Sequence, residues 1–317
     1  MTRWLRVIGL VLGVAILAWL VEHTDVAALL AAMARIGWGF IAIVAARGAT
    51  VVVDCAAWYC LLPRGERPPF STMLPLRWIA ESINTTLPAA QVGGDVVRAY
   101  LLQRRVAAPA RGAASVAVDF ALSLFAQILF TLLGLVLLAR LGNPAGWWPI
   151  AVTAALVPLF ALLCWEVLVR RRLLAAAERA AQRLGWRQMA GGLAALAAAL
   201  GVIAIGRMAL LRSLSLHLAS FLAHAGELWL TLWLMAAATG FADAILLESL
   251  SLAARSAAFL IPSGWGVQEA SLVALAGLIG LPAETGLALG LVKRAREFAV
   301  GLPGLAAWTI VERRGSP

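Results

Sequence analysis

Charge is scarce in this chain, lysine is nearly absent, and no catalytic signature occurs. Lys293 is the sole lysine among 317 residues; 13% of residues are charged and 62% hydrophobic. A soluble domain carries about 25% charged and roughly 45–50% apolar residues, so this composition excludes one and points to a multi-pass membrane protein. Cysteine is rare too. Cys55, Cys60 and Cys164 fall in apolar runs without metal-ligand spacing, which excludes a zinc site and a disulfide framework. His23, His217 and His224 form no HExxH pattern, and no phosphate loop, nucleotide fingerprint or hydrolase elbow is found. The chain is therefore expected to need no cofactor and no metal, and not to be an enzyme. Its net charge of +10 fits arginine-rich loops facing an anionic leaflet; no nucleic-acid partner is expected.

What is present is a pair of interrupted apolar stretches. One runs from Ser82 through Pro88, Gly93 and Gly94 to Asp95. The other runs from Ser256 through Pro262, Gly264 and Gly266 to Glu269. Ser, Pro and acid have identical spacing in both, and the copies lie 174 residues apart. Proline removes a backbone donor and glycine widens the allowed dihedrals, so each stretch should break a helix. A break at membrane depth is tolerated only where protein buries it or where it lines a wet cavity. Interrupted segments in corresponding halves of a chain point to a transporter site. Chance coincidence of common residues is the plainer alternative.

The expected fold is all-α: a single integral membrane domain over residues 1–317, with two re-entrant or broken helical hairpins in an inverted repeat. The first half covers about 1–170, with its broken hairpin at 71–103. A cytoplasmic or interfacial segment follows at about 171–212, including the apolar run 189–206. The second half covers about 213–317, with its hairpin at 244–281. Spans are expected at about 7–21, 38–62, 113–139, in the segment ending at Arg170, at 213–238 and at 283–311, with a mixed external segment at 22–37. With both termini cytoplasmic, seventeen arginines fall inside and two, Arg35 and Arg140, outside, as the positive-inside rule asks. Gly9 and Gly13 form a weak dimer motif.

Charges remain inside the apolar segments. The bases are Arg47, Arg77, Arg98, Arg255, Lys293, Arg294 and Arg296; the acids are Asp54, Glu81, Asp95, Asp119, Glu227, Glu269 and Glu297. A lone charge at a helix centre costs at least about 2.5–3.5 kcal/mol, so these must face one another, water or a polar ligand. Arg47 and Asp54 lie two turns apart on one face. Arg77 with Glu81, and Asp95 with Arg98, have helical pair spacing. The Lys293–Arg296 cluster suits an anionic group, since one acid, Glu297, does not balance three bases and arginine forks match phosphate oxygens. The alternative is that Glu297 neutralises Lys293 and the others snorkel. His224 and Glu227 could share a proton or form a packing pair.

With these residues placed, Glu81–Asn84, Gly93–Arg98 and Pro262–Glu269 resemble the membrane-domain family of the lysylphosphatidylglycerol synthases, also called flippase-like. Ala254–Phe259 and Leu291–Glu297 are similar to its hopanoid-biosynthesis-associated (HpnL) branch. The resemblance implies a bacterial inner-membrane protein that moves a lipid or lipid-linked group between leaflets. The synthases' soluble aminoacyl-transfer domain is not seen in the 317 residues, so synthase activity is not expected. The expected ligand is a membrane lipid: an anionic phospholipid, a polyprenyl phosphate or a hopanoid. A neutral polyol head would not need the Lys293 cluster for its charge.

The site is expected to draw on Glu81, Asn84, Asp95, Arg98, Arg255, Ser256, Glu269, Lys293, Arg294, Arg296 and Glu297. His224, Glu227 or Glu269 are candidates for proton coupling. A head-group transferase and a scaffold for lipid-biosynthesis enzymes are the competing readings, and homo-oligomers are compatible with all three.

Overall fold

A turn that leaves a helix without a capping residue must find one nearby, and the start of this chain shows how. Helix α1 (Arg3–Glu22) gives way to α2 (Val26–Ile36). Between them Asp25 accepts from the amides of Ala27 at 2.9 Å and Ala28 at 3.1 Å, filling two of the open donors at the start of α2. The chain bends there by 101°. The external segment expected at 22–37 is thus a capped helix, with Leu29 and Ile36 buried in the core.

The computed structural model describes residues 3–65, 67–87, 93–106, 109–141, 206–237, 239–258 and 265–313, with Ala175, Glu178, Arg179 and Gln182 between them. Among these residues the protein is all-α. After α2 come α3 (Gly39–Tyr59), α4 (Phe70–Thr86), α5 (Gly93–Gln103) and α6 (Pro109–Arg140). Then follow α7 (Arg207–Leu234), α8 (Phe241–Ala257), α9 (Val267–Leu278) and α10 (Ala283–Arg313). The expected fourth span, the segment 189–206 up to its last residue, Pro88, Pro262 and Gly264 lie outside the described residues. Helix α7 begins at Arg207, so Arg207 and Arg212 ride on it and not on a segment before it.

Among the described residues two helices are long and apolar enough to cross a bilayer: α3 and the stretch Arg111–Arg140 of α6. A third span results if α1 and α2 count as one bent crossing. Helices α7 and α10 run 28 and 31 residues, yet carry the polar and charged residues that the sequence places at membrane depth.

Both expected breaks are real. Helix α4 ends at Thr86 and α5 starts at Gly93; α8 ends at Ala257 and α9 starts at Val267. At the second break Gly266 holds φ +76°, a left-handed conformation that glycine adopts freely, and its face lies against the backbone of Gly13 on α1. Gly13, half of the expected dimer motif, is thereby used inside the chain.

Helix α3 packs along α7, α10 along α4 and α9, and α6 along α8. The core they share is layered. One apolar cluster joins Ile43 of α3, Leu228 and Leu232 of α7 and Leu287–Val292 of α10. Another joins Cys55 and Trp58 of α3, Met73, Leu76 and Ile79 of α4, and Leu305 and Trp308 of α10. Arg47 to Asp54 of α3 and Lys293 to Glu297 of α10 fall between the two clusters. The charges therefore form a belt part-way along the helices, with apolar packing on either side.

Candidate functional site

Arg47 and Asp54 point to the same side of α3 but do not pair with each other. Arg47 donates to Glu81 of α4 and to the ring of His224 on α7. Asp54 accepts from Arg77 of α4 at 3.2 Å. Arg77 also reaches Asp119 of α6 at 3.6 Å, closer than its helical neighbour Glu81 at 3.9 Å. Asp119, fully buried, accepts from Arg98 at 2.8 Å and faces His217 Nε2 at 3.0 Å. Arg98 also donates to Asp95 at 2.7 Å and lies over the Trp58 ring at 4.5 Å. Asn84, at the end of α4, donates to Asp95 and accepts from the amide of Gly94 at 2.8 Å, which caps α5.

The second set shares Glu297 among three bases and keeps Lys293 in a private pair. Lys293 Nζ meets Glu248 of α8 at 2.5 Å. Arg294 meets Glu269 at 2.7 Å and Glu297 at 3.0 Å, and lies over the Trp265 ring at 5.6 Å. Arg296 meets Glu227 of α7. Arg255 donates to Glu297 at 2.6 Å and to Gln268 at 3.2 Å. Glu269 also turns its other oxygen to the amide of Gly266 at 2.8 Å, so one side chain caps α9 and holds α10. Ser256 accepts from Gln127 of α6 at 2.7 Å.

These pairs surround a polar cavity of about 190 Å³. A single water needs roughly 10–15 Å³, so the space admits several waters or a small polar group. Glu81, Asn84, His224, Arg255, Lys293, Arg296 and Glu297, all singled out from sequence, line it. Asp95, Arg98, Glu227, Ser256, Glu269 and Arg294 stand behind the lining and hold it in place. Three lining residues carry a buried atom without a hydrogen-bond partner: Arg77 Nε, Arg296 Nε and Ser220 Oγ. They come from α4, α10 and α7, so residues of both halves with unpartnered polar atoms meet at one space.

Two expectations about the belt change. Glu297 is not left to balance three bases, because Glu248, Glu269 and Glu227 reach α10 from three other helices. His224 and Glu227 do not meet each other; each faces an arginine, Arg47 and Arg296 respectively. Sequence reasoning missed Glu248. It lies in the apolar run Ala244–Leu252, and the argument applied to Asp119, that an acid in an apolar run needs a partner, would have found it. Among the described residues no group of His, Cys, Asp and Glu is arranged to hold a metal.

No curated protein and no solved structure matches the chain. A family does: the model described as the lysylphosphatidylglycerol synthase TM region matches residues 6–304. With described residues that are all-α, charges paired in a belt, interrupted helices at that belt and a match over nearly its full length, the chain belongs to the lysylphosphatidylglycerol synthase TM-region family.

Proposed function

We propose that the protein moves a lipid head group between the leaflets of the bacterial inner membrane, with the belt cavity as the head-group site. The carrying observation is the cavity itself: a polar space between two apolar layers, walled by both broken elements, with unpartnered buried polar atoms on three of its lining residues. A head group entering it would leave its tails in lipid and meet partners already fixed in position.

Pairing supports the repeat behind this reading. Exchange α3 with α7, α4 with α8, α5 with α9 and α6 with α10. The contact of α3 with α7 maps onto itself, and α4 with α10 maps onto α8 with α6. The contacts α3–α4, α4–α5 and α5–α6 map onto α7–α8, α8–α9 and α9–α10. Close approaches follow the same rule: Gly134 of α6 lies against Ser249 of α8, and Gly304 of α10 against Ser82 of α4. An inverted repeat of this kind provides two alternative arrangements around one fixed site.

The charge balance bears on the substrate. Each base of the Lys293–Arg296 cluster already has a carboxylate, so the cavity does not offer a large positive surplus to a bare phosphate. A polyol or zwitterionic head, rich in acceptor oxygens and near neutral, suits the free guanidinium and hydroxyl atoms best. A polyol hopanoid fits this, and an anionic phospholipid or polyprenyl phosphate is the competing substrate.

Native mass spectrometry of the gently purified protein, with its lipids extracted and identified, tests the proposal. A near-neutral lipid retained by the wild type and lost in Arg255→Gln is expected. An anionic lipid lost in that variant would replace the substrate class. No selective lipid would favour a scaffold, and a lipid recovered with altered mass would favour a transferase.

A further inference from the structure

The two halves of the belt differ by one charge, and His217 sits where the difference falls. Around the first break Arg47, Arg77 and Arg98 face Asp54, Glu81, Asp95 and Asp119: three guanidiniums against four carboxylates. Around the second, Arg255, Lys293, Arg294 and Arg296 face Glu227, Glu248, Glu269 and Glu297: four against four. A buried surplus charge is costly, so the first set calls for one more cation.

Two histidines touch that set. His224 receives a hydrogen bond from Arg47, and a guanidinium only donates, so its Nε2 accepts and bears no proton. His217 faces a carboxylate with each ring nitrogen: Nε2 lies 3.0 Å from Asp119 and Nδ1 3.7 Å from Asp54. An imidazolium donates from both nitrogens; a neutral ring cannot. The other charged groups packed around α7 are engaged elsewhere. Glu248 of α8 holds Lys293, Arg296 of α10 holds Glu227, and Arg35 of α2 donates to the carbonyl of Met235. Arg77 and Arg98 approach Asp54 and Asp119 from α4 and α5.

We infer that His217 is a proton-binding site, holding an exchangeable proton as an imidazolium that ties α3 to α6 through Asp54 and Asp119. The ring is 1% exposed, while Asp54 lines the cavity, so the proton enters and leaves by way of the Asp54 carboxylate. Losing the proton leaves the wall of the cavity one negative charge in surplus and removes the tie between two helices. Coupling of this proton to lipid movement rests on the function proposed above; the proton site itself does not.

The test is nuclear magnetic resonance of the full chain, labelled with 15N-histidine, in lipid nanodiscs, with His217 assigned by its absence from His217→Gln. Two protonated ring nitrogens at about pH 7, with one lost on raising the pH, are the expected result. A neutral ring at that pH overturns the site. Melting temperatures check the bookkeeping if His217→Gln folds poorly. Asp54→Asn added to His217→Gln should recover part of the loss, and simple addition of the two losses would count against it. In liposomes, lipid movement should change by up to about tenfold per pH unit in wild type and stay flat in His217→Arg. Movement with unchanged pH dependence in His217→Arg overturns the coupling alone. No movement in wild type overturns the coupling together with the proposed function, and the resonance result still decides the proton site.

Discussion

At the first break, Asn84 reaches from the end of α4 to the Gly94 amide; at the second, Glu269 folds back from inside α9 onto the Gly266 amide. The acid that the sequence aligns with Glu269 is Asp95, and Asp95 is left free to hold Arg98. The difference spreads outward. In the first half the charges are shared: Asp119 serves Arg98, Arg77 and His217 together. In the second half Glu297 is shared in the same way, by Arg255, Arg294 and Arg296, but among the described residues Lys293 pairs with Glu248 alone. Two elements with the same spacing of Ser, Pro and acid thus neutralise their charges by different wiring. A carboxylate lost from a shared set leaves its base a second partner, while one lost from a private pair leaves a buried charge bare.

The sharpest way to break this comparison is to remove one acid from each side. Glu248→Gln leaves Lys293 buried without its carboxylate and should cost about 3–5 kcal/mol. The measurement is the fall in melting temperature of the purified protein in detergent. Asp95→Asn should cost less, about 1.5–3 kcal/mol, because Arg98 keeps Asp119 at 2.8 Å. Equal losses in the two variants would show that sharing gives no protection.

The repeat itself is probed at its glycines. Gly134→Ala and Gly304→Ala each drive a methyl group into a serine of the opposite half, Ser249 or Ser82. Overpacking of this kind costs about 1–3 kcal/mol, and the two variants should match if the packing is truly exchanged. A loss in one variant alone would restrict close packing to one half.

Smaller effects sharpen the capping contrast. Asn84→Ala removes the cap of α5 and should cost about 1 kcal/mol, read as faster hydrogen exchange at the first amides of that helix. Arg104→Ala serves as the reference. Arg104, just past the end of α5, is exposed and among the described residues meets Tyr100 of that helix, so its melting shift should correspond to less than about 1 kcal/mol.

Much of this architecture was legible from residue order. Helix starts follow local chemistry at Asp25 before α2, Pro69 before α4 and Pro282 before α10, whereas α7 starts at Arg207, ahead of the expected 213. The expected last helix, 283–311, and the observed Ala283–Arg313 nearly coincide, because hydropathy along one helix is a local property. Family membership was legible as well, in the motifs around Asp95 and Glu269. Site membership was harder. Arg47 and Asp54 were found because an isolated charge stands out in an apolar run, while Glu248 escaped notice inside a segment treated as a broken hairpin.

The sequence by itself determined that the chain is helical, that it breaks between Ser82 and Asp95 and between Ser256 and Glu269, and that its buried charges needed partners. Each of these follows from short-range physics: propensity, glycine and proline dihedrals, and the cost of a lone charge in an apolar medium. Only the tertiary structure decided which partners those were. Glu248 and Lys293 are 45 residues apart, Glu227 and Arg296 69, and Asp119 and His217 98. Such pairings depend on how each helix is rotated and shifted against its neighbour, a choice made by packing over the whole core and written in no single stretch of the chain.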